Sequence, residues 1–166
     1  MKKIVLFLAL SLSLLVIAAC GGGGGGGTPL TPVTGNTQAV LKIKLTGTLP
    51  AGTAITGTGF TLTLPANVTY SAGSVVLSGT FAGGPLGTPT YTAATATTPG
   101  TLLVPAANSV AAGVKEVGEI ATITLQLSNS AAPKATDFSL KDVSVLDTLY
   151  NTIAGMGAEV ASVELK

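Results

Sequence analysis

The chain has no histidine, no tryptophan and no arginine, a single cysteine, and only 9% charged residues among its 166. Each absence closes off a class of chemistry. Without histidine there is no side chain whose ordinary pKa suits proton transfer near neutrality, so general acid–base catalysis is not expected and we read the chain as a non-enzyme. Without histidine and with one thiol, a transition-metal site lacks its usual ligands. Without arginine, and with eight lysines scattered against seven acids, no basic patch exists to neutralise a row of phosphates, which excludes nucleic acid as a partner. One cysteine cannot form an internal disulfide. Low charge with high mean hydropathy also argues against a disordered polyelectrolyte.

What is present begins with an export signal. Met1, Lys2 and Lys3 form a basic start, and Ile4 to Ile17 form an apolar run of 14 residues. That run is shorter than the roughly 20 residues of a stable membrane-spanning helix, and it ends in small residues where a peptidase would cut. Residues 1–19 are therefore expected to be a signal peptide. The following cleavage region, Ile17-Ala18-Ala19-Cys20, resembles the lipobox of bacterial lipoproteins. The resemblance implies that the Cys20 thiol is alkylated by diacylglycerol and becomes the first residue of the mature chain. A thiol suits this step because its thiolate is a strong nucleophile. Lipidation also accounts for a lone exported cysteine, and two or three acyl chains would hold the protein on a membrane permanently.

Lys2 and Lys3 leave with the signal peptide, so six lysines remain against seven acids. Residues 20–36 are expected to form a tether: Gly21 to Gly27 are seven consecutive glycines, followed by a Thr/Pro stretch from Thr28 to Gly35. A Gly-rich coil of about 15 residues reaches roughly 20 Å, enough to lift a domain off the headgroups. A phosphate-cradling loop would need a preceding strand, a following helix and a lysine, none of which the pattern offers. Gly21, where enterobacterial lipoproteins retained at the inner membrane resemble one another in carrying Asp, points to the outer membrane of the cell envelope.

Residues 37–166 alternate apolar and polar side chains in short runs broken by Gly, Pro and Asn, which is the pattern of an all-β domain. Leu41, Ile43 and Leu45 alternate with Lys42 and Lys44; Phe60, Leu62 and Leu64 alternate with Thr61 and Thr63. Val75 to Leu77 and Leu102 to Val104 read as strands, separated by the loop Gly83-Gly84-Pro85-Leu86-Gly87. Ala121, Ile123, Leu125 and Leu127 form the cleanest alternation and are expected at the centre of a sheet. Phe138 with Leu140, Val143 with Val145, and Ala161, Val163 and Leu165 read as three further strands, with a turn at Asp147 to Asn151. Eight or nine strands at this spacing predict an antiparallel β-sandwich of the jelly-roll or immunoglobulin kind.

Three stretches carry a resemblance to cohesin domains, the modules by which scaffolding proteins hold dockerin-bearing partners. Phe60 to Tyr70 is similar to the family's early strand and the turn after it. Gly118-Glu119-Ile120-Ala121-Thr122-Ile123-Thr124-Leu125 resembles its "G-x-[LI]-A-x-[IV]-x-[FL]" strand, and Phe138 to Val143 resembles the strand and turn that follow. Where an Asp-Pro turn would follow the first motif, this chain has Pro65-Ala66-Asn67. The resemblance implies a non-catalytic protein-interaction or scaffolding module whose partner is another exported protein, with a dockerin-like segment as one option.

Two other readings stay open. A self-associating structural component of the envelope suits the low charge and abundant Thr, Ala and Gly. A polysaccharide-binding module would use exposed tyrosines, for which Tyr70, Tyr91 and Tyr150 are the candidates. Asp137, Asp142 and Asp147 recur every five residues, but alternate strand faces and turns would scatter them, so they read as turn carboxylates and no cofactor is expected. Calcium is an option only through the cohesin resemblance. Asn67-Val68-Thr69 fits a glycosylation acceptor triplet.

Overall fold

In the computed structural model the described residues run from Gly35 to Lys166. The expected signal peptide, Cys20 and all but the last two residues of the expected tether lie outside them. Eight strands are present among the described residues: β1 (Gln38–Thr46), β2 (Ile55–Leu64), β3 (Val68–Leu77), β4 (Thr90–Thr92), β5 (Gly100–Ala107), β6 (Glu119–Leu127), β7 (Ser139–Asp147) and β8 (Gly157–Leu165). They form two four-stranded sheets, ordered β3-β6-β1-β8 and β4-β5-β2-β7, with every pairing antiparallel. The β-sandwich read from the sequence is the observed architecture. Among the described residues no helix is long and apolar enough to cross a membrane.

The pairings β4/β5, β3/β6, β2/β7 and β1/β8 are nested, as if one long hairpin with its tip between β4 and β5 had been rolled up into two layers. This is jelly-roll connectivity. The β1–β6 and β2–β5 pairings then knit the hairpins into sheets. The rolling also sets which loops share an end. Gly35, the β2–β3 turn and Lys166 lie at one end, where the Thr37 N–H donates to the Lys166 carbonyl at 2.7 Å. The β1–β2, β5–β6 and β7–β8 loops lie at the other, since Thr46 pairs with Gly157 and Ile55 with Asp147.

The core follows from the alternation. Ala39, Leu41, Ile43 and Leu45 of β1, Phe60, Leu62 and Leu64 of β2, Leu102 and Val104 of β5, and Ile120, Ala121, Ile123 and Leu125 of β6 are buried between the sheets. β6 lies inside its sheet, as its clean pattern predicts. Phe81 is completely buried as well, carried by a short 3₁₀ turn (Gly79–Phe81) in the segment that crosses from one sheet to the other. Pro105 is tolerated in an inner strand because its carbonyl accepts from the Gly87 N–H at 2.9 Å on the side of the broken β4 edge. Backbone donor and acceptor of one residue point the same way, so no ladder partner is deprived of its donor there.

Three expectations need correction. Phe138/Leu140 and Val143/Val145 do not belong to two strands; both segments are joined as the end of one turn and the single strand β7, whose pairing with β2 slips by one residue at Asp142 (φ 50°). Aspartate tolerates the left-handed conformation that such a bulge requires. In β8 the inward side chains are Ala158, Val160, Val163 and Leu165, and Ala161 is exposed, because the pairing with β1 also slips there. β3 begins at Val68 and hides its alternation behind an outward bulge at Ser71–Ser74, with Gly73 at φ +81°.

Candidate interaction surface

Charge divides the two outer faces of the sandwich. The first sheet carries Lys42 and Lys44 on β1, paired with Glu119 at 3.0 Å and Glu159 at 2.9 Å. Glu119 sits at the start of β6, and its carboxylate also accepts from the Ser78 hydroxyl at 2.7 Å. That hydrogen bond, with the help of Lys42, holds the Glu119 carboxyl below its ordinary value of 4.5. A lowered folded-state pKa stabilises the protein fully above the unfolded value and is lost as pH falls through the folded one. Replacement of Glu119 by glutamine is therefore expected to flatten the loss of stability below pH 4.5. Urea midpoints taken from about pH 7 down to about pH 3 check this.

The outer face of the second sheet is built differently. Register places Thr92, Thr101, Thr63 and Ser139 in one row across four strands, and Thr90, Leu103, Thr61 and Lys141 in the next. Pro105, Gly59 and Ser144 follow, then Ala107, Gly57 and Leu146. Lys141 is the one charged side chain in these rows. Glycines keep the last two rows low: a β-carbon on Gly57 would stand 3.3 Å from the Ala106 carbonyl oxygen, and one on Gly59 equally close to the Ser144 hydroxyl. Leu103 stands on this face at 45% exposure.

At the end away from Gly35 the face runs into a hollow of about 480 Å³ lined by Thr56, Gly57, Pro85, Leu146, Val110 and Tyr150, among others. Two loops shape it. Asn108, in the β5–β6 loop, is buried and spends its side chain on backbone, donating to the Ile55 carbonyl and accepting from the Val110 N–H at 2.9 Å. Asp147 closes the β7–β8 turn, its carboxylate accepting from the N–H groups of Leu149 at 2.8 Å and Asn151 at 2.9 Å. Those backbone donors, Asn151 first, hold the Asp147 carboxyl below its ordinary value. The turn leaves Leu149 and Tyr150 each 77% exposed, with Tyr150 at φ 62°. Val110 and Val117 are exposed at the same end, so large apolar side chains gather opposite Gly35.

No protein-family model, curated protein or solved structure matches the chain.

The candidate tyrosines separate. Tyr70 and Tyr91 pack together against the core, ring centroids 5.9 Å apart, while Tyr150 is free in solvent. Tyr91, a sequence-level candidate for stacking on a glycan, thus spends its ring on the interior. The three aspartates are used locally. Asp137 accepts from the Lys134 N–H at 2.7 Å, Asp142 sits in the β7 bulge, and Asp147 closes its turn. Among the described residues no three His, Cys, Asp or Glu side chains gather as a metal-binding group. Asn67 caps the β2–β3 turn at φ 63°, its side-chain Oδ1 accepting from the side-chain Nδ2 of Asn129 at 2.9 Å. Leu103, Val110 and Leu149 were not legible as surface residues. Leu103 lies in a run of three apolar residues whose facing only the register decides, and Leu149 follows a turn aspartate that the local pattern does not orient.

Proposed function

We propose that this chain is a membrane-anchored extracytoplasmic lipoprotein, lipidated at Cys20 and held at the cell envelope, on the outer membrane. Its cohesin-like β-sandwich acts there as a non-catalytic interaction or scaffolding module for another exported protein. The lipobox pattern and the glycine tether support the anchor. The division of charge carries the binding reading: one sheet face is laced with ion pairs, and the other is flat, rich in hydroxyls and small residues, and bears Leu103. Interfaces are depleted of charge at their centres, and a flat patch with an exposed leucine loses little by being covered. The absence of histidine, and a lone thiol committed to lipid, support a module without catalysis.

One fractionation experiment tests both halves. The full chain, expressed in the parent cell with a C-terminal tag, is expected in the membrane fraction together with a specific exported protein. Cys20→Ser, in a chain whose residues 1–19 are exchanged for a signal peptide that is cut without lipidation, is expected to move the chain to the soluble fraction. Leu103→Glu is expected to leave it on the membrane but release the partner. Because the face carries little charge, retention of the partner is expected to change little between about 0.05 and 0.5 M salt. A chain that stays membrane-bound without Cys20 overturns the anchor. Partner binding that survives Leu103→Glu, or collapses in salt, overturns the docking face.

A further inference from the structure

The hollow at the far end of the second sheet has properties that the protein-docking reading leaves unused. Its volume, about 480 Å³, lies within the range of small-molecule sites, roughly 300–1,000 Å³. Among the described residues no carboxylate or ammonium group lines it. Its walls mix apolar groups (Pro85, Leu146, Val110) with the hydroxyls of Thr56, Ser109 and Thr148, and Tyr150 stands at its rim. Asn108 also lines it, and with both ends of its amide bonded to backbone it fixes the wall.

The backbone that carries the exposed Tyr150 ring is held in a strained conformation. A bulky residue at positive φ costs about 1 kcal/mol or more, and such strain persists only where the surroundings impose it. Here they do: the Tyr150 N–H donates to the Asp147 carbonyl at 3.0 Å, and the Asp147 carboxylate clamps the residues on either side. An exposed aromatic ring beside an uncharged, half-apolar, hydroxyl-bearing hollow suits a ligand with the same split character. It would need an apolar face of C–H groups to lie on the ring and an uncharged rim of hydroxyls to exchange hydrogen bonds with the threonines and Ser109.

We propose that this hollow, with Tyr150 as its platform, is a binding subsite for a pyranose ring of a neutral polysaccharide. The charge-free lining selects against uronate and sulfated sugars, since no cation stands in the hollow to pair with them. The site is separate from the Leu103 region of the same face, so it stands or falls independently of protein docking.

The chain has no tryptophan, so tyrosine emission reports on the site directly, and the other two tyrosines are packed together away from it. The full chain in detergent micelles is titrated with cellohexaose, xylohexaose, maltohexaose and chitohexaose, with polygalacturonate as the charged comparison. Saturable calorimetric binding to at least one neutral oligosaccharide is expected, with a matching change in tyrosine emission, and none to polygalacturonate. Tyr150→Ala is expected to weaken binding about tenfold or more. Tyr150→Phe, which keeps the ring, is expected to retain binding and lose the emission change. Leu103→Glu is expected to bind sugar normally. No saturable binding to any of the four, equal binding by Tyr150→Ala, or a preference for polygalacturonate overturns the proposal. So does retained loss of binding in Tyr150→Phe, because a ring platform does not require the hydroxyl.

Discussion

A Phe60→Ala chain is expected to be about 3–5 kcal/mol less stable than the parent. Phe60 is completely buried on β2, a strand paired on both sides, and stands beside Val104 in the ladder to β5. Truncating it removes apolar surface from the interior and leaves a space that neither neighbouring strand can fill, since both are tied by backbone hydrogen bonds. With about 5–15 kcal/mol holding a typical domain together, the loss is large enough to leave an appreciable unfolded fraction at growth temperature. Urea denaturation followed by far-ultraviolet circular dichroism measures it. A decrease below about 1 kcal/mol would mean that the sheets close over the gap, and that the interior is less rigidly packed than its strand pairings imply.

The second large effect is expected at Gly79. It opens the 3₁₀ turn that carries Phe81 into the core, and it does so at φ +55°. A β-carbon there would lie 2.2 Å from the Glu119 carbonyl oxygen and 2.8 Å from the carbonyl carbon. Backbone on one side and an unfavourable dihedral on the other leave no cheap relief. Gly79→Ala is expected to cost about 3 kcal/mol or more, combining a left-handed penalty of about 1–2 kcal/mol with the displacement of a packed segment. Gly52 offers the comparison. It too has positive φ (+80°), but nothing lies within 4 Å of its missing β-carbon, so Gly52→Ala should cost only the dihedral term. Parallel melts of the two variants separate crowding from backbone strain; equal losses would show that the approach to Glu119 is not tight.

The strands that could be read in advance are those whose wet and dry faces alternate without interruption. Lys42 and Lys44 between Leu41, Ile43 and Leu45, or Thr61 and Thr63 between Phe60, Leu62 and Leu64, state their facing in the sequence alone. What stayed hidden depends on the neighbouring strand. The bulges at Asp142 and Ala161 exist because one strand has an extra residue relative to its partner, and a single strand's own pattern does not count the other's residues. β4 has three residues with one inward side chain, Tyr91, too few to make a period. The candidate surface was hidden for the same reason. Tyr91 and Tyr150 stand in similarly bland company, and only the folded chain sends one inward against Tyr70 and leaves the other on a clamped turn.

The rolled-up connectivity has a mechanical consequence. Gly35 and the apolar rim of Leu149, Tyr150 and Val110 lie at opposite ends of the strands, and β1, the first strand to receive a pull from the amino-terminal side, is held between β6 and β8. Tension between an attachment at Gly35 and a load at the rim is directed along β1. Its cross-strand hydrogen bonds are loaded side by side and must slide together, and they cannot be peeled off one after another. Yielding under force is governed by the rate of that concerted rupture. A domain strung this way resists being pulled open by a load at its rim.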